Sequence, residues 1–327
     1  MPLLTPPDIL PEAMRFLVRA LLSVRSEVAR EELIDLIAPS GLVEAMKSLG
    51  AGLDSPTDGE SDLKTGGAVI ADKSLLALGT LGIVQASGRN IRLAAIPDDW
   101  LKPTDVDARS FAAHLRKRIF ASVSLDATIG DSGGVMDLAH GLAALHVADN
   151  PLWPFTSFET DKTGKGRAFM DYQHSLFGND RSNWPVPNKE QWLPFRRWAT
   201  YLGLASPTHK GLLPDCSVAL TQELNDLPAG NYEIEQFTAE CSRRIPTLDG
   251  GLLHFSDLTP ESTHTPALSP GLSISLIQLE AEGLVTLSKL SDIGTRTLRI
   301  GPGTGSSVER PVSHVKWAGA SSRRTEK

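Results

Sequence analysis

Three neighbouring residues, Glu159, Asp161 and Lys162, have the chemical types that hold a divalent cation and activate water in metal-dependent nucleases. Such a site needs its acids and its lysine on a strand flanked by apolar residues. The surrounding sequence is polar and aromatic instead, which favours a solvated loop. A nuclease with its site in this region is the enzyme alternative, and metal-dependent cleavage that disappears in Asp161→Ala or Asp171→Ala protein would support it.

Two glycine-rich segments superficially resemble phosphate-binding loops. Residues 301–307 follow a predicted strand, but they contain no lysine, and Pro311 follows where the N-terminus of a helix is required. Residues 163–167 include a lysine, but no strand precedes them. We therefore expect neither segment to bind a nucleotide.

The histidines and cysteines do not form a metal-binding pattern. His140 and His146 lie on one predicted helix, and their separation of six residues puts them on different faces. Cys216 and Cys241 have no CxxC spacing, so two small buried side chains in a reducing compartment are expected. The sequence thus predicts no catalytic residue, no metal ion and no cofactor.

A dense group of aromatic and basic residues is the most unusual feature of the middle of the chain. Aromatic side chains interleaved with arginine can stack on bases or anchor a protein partner. The favoured interpretation is that the aromatic residues, at helical spacing, pack a helix into its own core and leave Arg196 and Arg197 exposed, where they can contact phosphate. The group consists of Trp184, Trp192, Phe195, Arg196, Arg197, Trp198 and Tyr201.

The most informative pattern is a repeat of one structural unit. Residues 74–84 align without a gap on residues 275–285, at a constant offset of 201 positions. In each copy an apolar helical stripe ends at a glycine, Gly82 or Gly283, and two β-prone runs separated by a polar turn follow. A helix that ends at glycine and leads into a hairpin is typical of a winged helix-turn-helix domain.

The hairpins predicted over residues 83–93 and 284–300 carry the best candidates for contact with the DNA backbone. The helices that precede them offer little to base edges, because the first has only Lys73 and the second has serines and Gln278 but no lysine or arginine. With the two arginines of the middle region, the candidate backbone contacts are Arg89, Arg92, Lys289, Arg296, Arg299, Arg196 and Arg197.

Apolar periodicity completes the predicted fold, which is mainly α with small β-hairpins. We expect a winged-helix domain over residues 1–100, a helical middle domain over 101–210, a second winged-helix domain over 211–302 and a flexible tail over 303–327. The helices are predicted at residues 12–23, 30–38, 68–81, 107–122, 135–147, 190–204, 218–227, 234–245 and 269–282.

The charge distribution argues against a free-standing DNA-binding protein. The 327 residues have a formal net charge of −7. Residues 1–100 carry 9 basic and 14 acidic groups, residues 101–210 carry 13 and 11, and residues 211–327 carry 10 and 14. Phosphate neutralisation supplies most of the affinity for DNA, so weak binding without sequence readout is expected. The sequence shows no span of about 20 apolar residues and no basic leader, which predicts a cytoplasmic protein without a membrane segment.

The arrangement of two winged helices around a helical middle, together with the run Gln-Trp-Leu-Pro-Phe-Arg-Arg-Trp-Ala-Thr-Tyr-Leu-Gly-Leu at residues 191–204, resembles the G component (DpdG-like) of bacterial Dpd systems. These gene clusters install 7-deazaguanine derivatives in DNA and restrict unmodified DNA. The resemblance implies a component of a defence complex that works beside an ATPase or helicase. It supplies no catalytic residues.

These observations predict a non-enzymatic tandem winged-helix adaptor of a prokaryotic DNA-modification and anti-phage defence complex. Its acidic domains would engage partner proteins, while the hairpins and the basic middle would contact the DNA backbone. The alternatives are a winged-helix transcriptional regulator, which would bind one DNA site tightly, and a winged-helix partner of a chromosome-organising ATPase. A homodimer is compatible with each of them.

Overall fold

The described part of the chain forms two compact units, Met1–Arg118 and Ile119–Lys327. The division of the second unit into a middle and a C-terminal domain stays a prediction. About half of the structure is helical, and the strands form several small sheets. The structure is a computed structural model that describes residues 3–5, 8–24, 27–38, 66–123, 135–148, 154–160, 167–209, 211–255, 266–290, 294–300 and 308–319.

The first unit builds a small antiparallel sheet beside its helices. Its strands lie in the order β1-β3-β2. Met14, Leu17, Leu33 and Leu78 are fully buried and form the centre of its core. The elements are α1 (Pro11–Val24), β1 (Val28–Ala29), α2 (Arg30–Ile37), α3 (Gly66–Thr80), β2 (Val84–Ser87), β3 (Asn90–Leu93) and α4 (Ala108–Ala121), whose last residues, from Ile119, belong to the second unit.

The first copy of the repeat has the predicted structure, a helix that leads into an antiparallel strand pair. Helix α3 ends where Gly82 adopts a left-handed conformation (φ +66°) and the amide of Ile83 donates to the carbonyl of Leu78 at 2.9 Å. Arg118 Nε donates to the carbonyl of Leu81 at 2.7 Å and satisfies a further acceptor at this helix end.

The first half of the second unit contains more β structure than the sequence predicted. A four-stranded sheet in the order β5-β4-β7-β6, which the sequence did not indicate, accompanies the helices predicted for the middle domain over residues 101–210. The short helix α6, which lies between β5 and α7, was also not predicted from the sequence. The elements are α5 (Met136–His146), β4 (Phe155–Ser157), β5 (Arg167–Ala168), α6 (Phe169–Phe177), α7 (Lys189–Tyr201), β6 (Ser206–Thr208) and β7 (Gly211–Leu213).

The remainder of the second unit contains a three-stranded sheet, β8-β12-β9, and a two-stranded sheet, β10-β11, all antiparallel. Its elements are α8 (Ser217–Glu223), β8 (Gly230–Glu233), α9 (Ile234–Arg244), α10 (Pro270–Ala281), β9 (Val285–Ser288), β10 (Arg296–Ile300), β11 (Val308–Val312) and β12 (His314–Trp317).

The return strand of the second copy was predicted wrongly. Strand β9 does not pair with residues 297–300 but with β12, in a register that sets Val285 opposite Trp317. The physical reason is burial, because Val315 and Trp317 alternate on one face of β12 and are almost completely shielded from solvent. Strand β10 pairs with β11 instead, so an additional hairpin lies between β9 and its partner.

The flexible tail predicted from residue 303 is therefore incorrect for residues 308–317, which form β11 and β12. The ring of Trp317 lies 6.4 Å from that of Phe237, and its indole nitrogen donates to the carbonyl of Leu227 at 3.2 Å. These contacts tie strand β12 to α9 and to the turn after α8.

The two repeat copies lie in regions of the same element order. In the described residues the first region runs helix, strand, helix, helix, strand and strand, and the second region has the same order once the inserted hairpin β10-β11 is set aside. In each three-stranded sheet the last strand lies between the first and the second. Helix α10 also ends as α3 does, because Gly283 has φ +73° and the amide of Leu284 donates to the carbonyl of Leu279 at 2.9 Å. The order β8-β12-β9 thus corresponds to β1-β3-β2.

Candidate functional surface

The first hairpin (β2 and β3, residues 84–93) presents two of the predicted cations. Its turn contains Gly88 with φ +63°, which favours glycine. Arg89 is exposed, and its side chain makes no hydrogen bond or ion pair with the residues that the structure describes. Arg92 is about half exposed, donates to Gln85 Oε1 at 2.9 Å and lies 3.9 Å from Glu27 Oε1. The hairpin therefore offers one unneutralised cation and one weakly paired cation to solvent.

The helix before this hairpin, α3, has a largely neutral exposed surface. Leu76 is 41% exposed, and Gly79 and Thr80 are also exposed. The nearest acid on this helix, Asp72, is already bound, because Arg30 donates to its Oδ1 from Nη2 at 2.5 Å. A surface of this composition suits contact with a protein better than contact with phosphate or base edges.

The corresponding helix of the second copy, α10, is covered by its own unit. Its buried residues include Leu272, Leu276 and Leu279. A Cβ atom on Gly271 would lie 2.8 Å from the carbonyl oxygen of His146, so the first turn of α10 rests directly on the end of α5. The first turn of α10 is therefore covered by the protein itself, and the exposed positions of this helix are Gln278 and Ala281.

The serines of α10, which the sequence offered as polar groups for base edges, are used inside the protein. Ser269 caps the helix by accepting from the amide of Leu272 at 3.3 Å, and its own amide donates to Asp249 Oδ1 at 2.7 Å. Ser273 accepts from the amide of Arg299 at 3.1 Å, and Ser275 donates to the carbonyl of Gly271 at 2.7 Å. These hydroxyls position the helix rather than face solvent.

His146 joins three segments of the second unit at the same place. Its Nδ1 lies 2.9 Å from Thr247 Oγ1, and its Nε2 lies 2.9 Å from the carbonyl oxygen of Leu204. Burial lowers the pKa of His146 to about 4, so the ring is neutral at physiological pH. The sequence gave no sign of this role of His146. The start of α10, on which the end of α5 packs, was recognisable from the Ser269-Pro270 pair, because serine caps helices and proline favours their first turn.

The second hairpin (β10 and β11, residues 296–300 and 308–312) neutralises most of its arginine charge. Arg296 donates from Nε and Nη2 to the carboxylate of Glu235, at 2.6 and 3.0 Å. Arg310, which was not among the cations predicted from the sequence, also makes a bidentate contact with Glu280, and the hydrogen bonds from this arginine lower the pKa of Glu280. Arg299 lies opposite Glu309 in the strand pair.

Lys289 follows β9 on the approach to the second hairpin. Its side chain is exposed and makes no hydrogen bond or ion pair with the described residues. Together with Arg89, it is therefore a predicted cation that is open to a phosphate group.

The aromatic and basic group of the middle region packs as the favoured interpretation predicted. Trp192, Phe195 and Trp198 are buried, and Phe169 stacks on the first two with ring centroids 5.0 and 5.4 Å apart. Arg196 lies 5.9 Å from the ring of Trp192, and Arg197 is exposed. These aromatic rings are core residues and cannot stack on bases.

The candidates for catalysis and phosphate binding lie partly outside the described residues. Asp161, Lys162 and the glycine-rich residues 301–307 belong to this remainder. Glu159 is exposed, and Asp171 accepts a hydrogen bond from the hydroxyl of Thr160. Among the residues with a described position, no three His, Cys, Asp or Glu side chains are grouped as metal ligands would be. No helix in the same residues is long and apolar enough to cross a bilayer.

A family model described as DpdG-like matches residues 1–293 of the chain. The match covers most of the sequence and confirms the resemblance drawn from the repeat and from residues 191–204. No curated protein and no solved structure matches.

Proposed function

The chain belongs to the DpdG-like family, and from this premise we propose that it is a non-enzymatic adaptor of an anti-phage defence complex. Family membership implies a component of the Dpd DNA-modification system, and the other Dpd proteins are the partners that this membership suggests. The adaptor role goes beyond the family, and it draws on the surfaces of the two repeat copies. No residue of the chain is assigned a catalytic step.

Two winged-helix domains are part of this proposal. The supporting observation is the order of helix, strand, helix, helix, strand and strand, which the two regions share apart from the hairpin β10-β11, with the last strand central in both three-stranded sheets. The first hairpin would be the wing of the first domain. The second hairpin would be an enlarged wing, inserted between β9 and β12.

The burial of α10 is the observation that carries the adaptor role. In a DNA-reading winged helix this third helix lies in the major groove, whereas α10 rests on α5 through Gly271 and His146. The equivalent α3 exposes Leu76 and small residues, and its one cation, Lys73, is only partly exposed. We therefore assign α3 to a protein partner and give neither helix a role in base recognition.

Contact with DNA is assigned to the phosphate backbone. Arg89 and Lys289 are exposed and unneutralised among the described residues, Arg92 is weakly paired, and Arg196 and Arg197 add charge to the middle region. In contrast, Arg296 has a bidentate carboxylate partner. Because only these few cations are available to phosphate groups, we expect the protein to bind DNA weakly, in a salt-dependent manner and without sequence preference.

Duplex binding measured by fluorescence anisotropy over a range of salt concentrations tests the backbone contacts. Arg89→Ala should weaken binding equally for unrelated sequences and reduce the salt slope by about 1. Arg109→Ala, which removes an exposed arginine from the start of α4, is the matched control. Equal effects of the two substitutions would remove Arg89 from the interface, and tight binding to a single sequence would indicate a transcriptional regulator.

Affinity purification from the native host with mass spectrometry tests the adaptor role. We expect other Dpd proteins to copurify, and Leu76→Glu to release them if α3 is the docking surface. Leu101→Glu, at a residue that is 74% exposed on the same unit, serves as the control. Recovery of the wild-type protein alone would contradict the proposal.

A further inference from the structure

Helix α5 contains two polar side chains that its packing does not explain. The helix is otherwise apolar or small-residue and buried, and His146 at its end is satisfied by two hydrogen bonds. Asp137 and His140, in contrast, make no hydrogen bond or ion pair within the described chain. They lie three residues apart, so their side chains are neighbours on one face of the helix.

Two phenylalanine side chains lie near His140, because Phe255 contacts its ring and Phe177 contacts Phe255. Phe177 is the last residue of α6, and Phe255 lies beyond the turn that follows α9. Their rings meet edge to face with centroids 5.7 Å apart, and the ring of Phe255 lies 6.2 Å from the imidazole of His140 with a tilt of 37°. Both phenylalanines are only partly buried, so an aromatic surface remains accessible next to two polar side chains that have no hydrogen-bond partner among the described residues.

We propose that Asp137, His140, Phe177 and Phe255 form a binding site for one unpaired nucleobase. Aromatic faces stack on bases of any sequence, and a carboxylate and an imidazole can hydrogen-bond the edge of the ring. Burial raises the pKa of Asp137 and lowers that of His140, as expected for groups that water reaches poorly. This combination of stacking surface and desolvated polar groups is what a flat heteroaromatic ligand requires.

The carboxylate of Asp137 sets the expected preference among bases. Guanine offers two adjacent N–H donors on its Watson–Crick edge and can satisfy one carboxylate with both. Thymine offers a single N–H donor between two carbonyl acceptors. The site should therefore favour guanine over thymine, whether the base is a free nucleoside or is part of a single strand.

Saturation-transfer NMR with the four deoxynucleosides tests the site without any phosphate contact. Wild-type protein should bind deoxyguanosine saturably, and Phe255→Leu should weaken this binding about tenfold. Phe16→Leu, which changes a phenylalanine that is 49% exposed on the first unit, is the matched control. Because Phe255→Leu could disturb folding, the second variant is the isosteric Asp137→Asn. This substitution should abolish the preference for guanine, and Asp98→Asn is its control.

A short single-stranded oligonucleotide with one guanine distinguishes the two sources of the base. Tighter binding of the oligonucleotide than of the nucleoside would indicate a strand ligand, and equal binding would indicate a free nucleoside. Absence of saturable binding by any nucleoside, or unchanged affinity in both Phe255→Leu and Asp137→Asn, would overturn the inference. Duplex binding through Arg89 is measured separately, so either proposal can fail without the other.

Discussion

The contact between α10 and α5 predicts that Gly271→Ala destabilises the second unit. The added methyl group would lie 2.8 Å from the carbonyl oxygen of His146, 2.9 Å from its Cα and 3.0 Å from its Cβ. A carbon atom and a carbonyl oxygen normally approach to about 3.3 Å or more. The two helices must therefore separate by about 0.5 Å along this contact, and the atoms that must move belong to the backbone.

The magnitude follows from two opposing terms. Forcing an extra methyl group into a packed core costs about 1–3 kcal/mol. Alanine recovers at most about 1 kcal/mol relative to glycine through its helix propensity. We therefore expect the free energy of unfolding to fall by about 1–2 kcal/mol, and the urea midpoint to fall by roughly 0.5–1 M.

Urea denaturation followed by tryptophan fluorescence measures this change, because Trp184, Trp192, Trp198 and Trp317 all lie in the second unit. The matched control is Gly79→Ala on α3, where a new Cβ would meet nothing within 4 Å. The control should gain about 0.5–1 kcal/mol in the first unit. A Gly271→Ala protein that is as stable as the wild type would refute the close packing of α10 on α5.

Three further predictions concern the second unit. The pKa of His146 is about 4 in the folded protein and about 6.5 in the unfolded chain, so the unfolded chain binds a proton more readily. The free energy of unfolding should therefore fall by about 3 kcal/mol as the pH drops from 6.5 to 4. Urea denaturation at pH 7 and at pH 4.5 should show a smaller loss of stability in His146→Gln than in the wild type. Ser269→Ala should cost about 1–2 kcal/mol in urea denaturation, because it removes a helix cap and a donor to Asp249. Glu235→Gln should change stability by less than about 1 kcal/mol, since the pair is partly exposed, but it should strengthen duplex binding at low salt by releasing Arg296.

The sequence predicted those parts of the fold that depend on local patterns. Helices α3 and α10 could be located because their apolar stripes end at Gly82 and Gly283, where only a residue that tolerates positive φ fits well. Helix α6 has nine residues and no N-terminal side-chain cap, and only three of its residues are aromatic. The glycine at its end, Gly178 with φ +76°, is the local signal that could have located it.

Strand pairing could not be predicted in the same way, because it depends on residues far apart in the chain. Strand β9 is followed by residues 297–300, which resemble the return strand of the first copy, whereas residues 314–317 fall in the segment that the sequence predicted as a flexible tail. The choice of β12 depends on the burial of Trp317 against Phe237, which lies 80 positions earlier. Sequence patterns do not contain this information.

The sequence showed which residues of the two hairpins are basic, but it could not show which of them are neutralised by an acidic partner. Arg296 and Arg89 are equally visible as basic residues of hairpins. Only the structure shows that Arg296 is neutralised by Glu235, 61 positions away, and that Arg310 is neutralised by Glu280, 30 positions away. Whether a basic side chain is neutralised thus depends on acidic residues that are far away in the sequence.

Strand β7 has a consequence for how this protein can be divided. It pairs with both β4 and β6, so residues 211–213 lie in the interior of a sheet whose other strands come from earlier in the chain. A protein truncated after residue 210 would expose two unpaired strand edges and the face of α5 that α10 covers. Gene fission, proteolytic nicking or a fusion joint at this position should therefore yield fragments that aggregate, and a joint near residues 98–99, in an exposed turn of the first unit, offers the safer division.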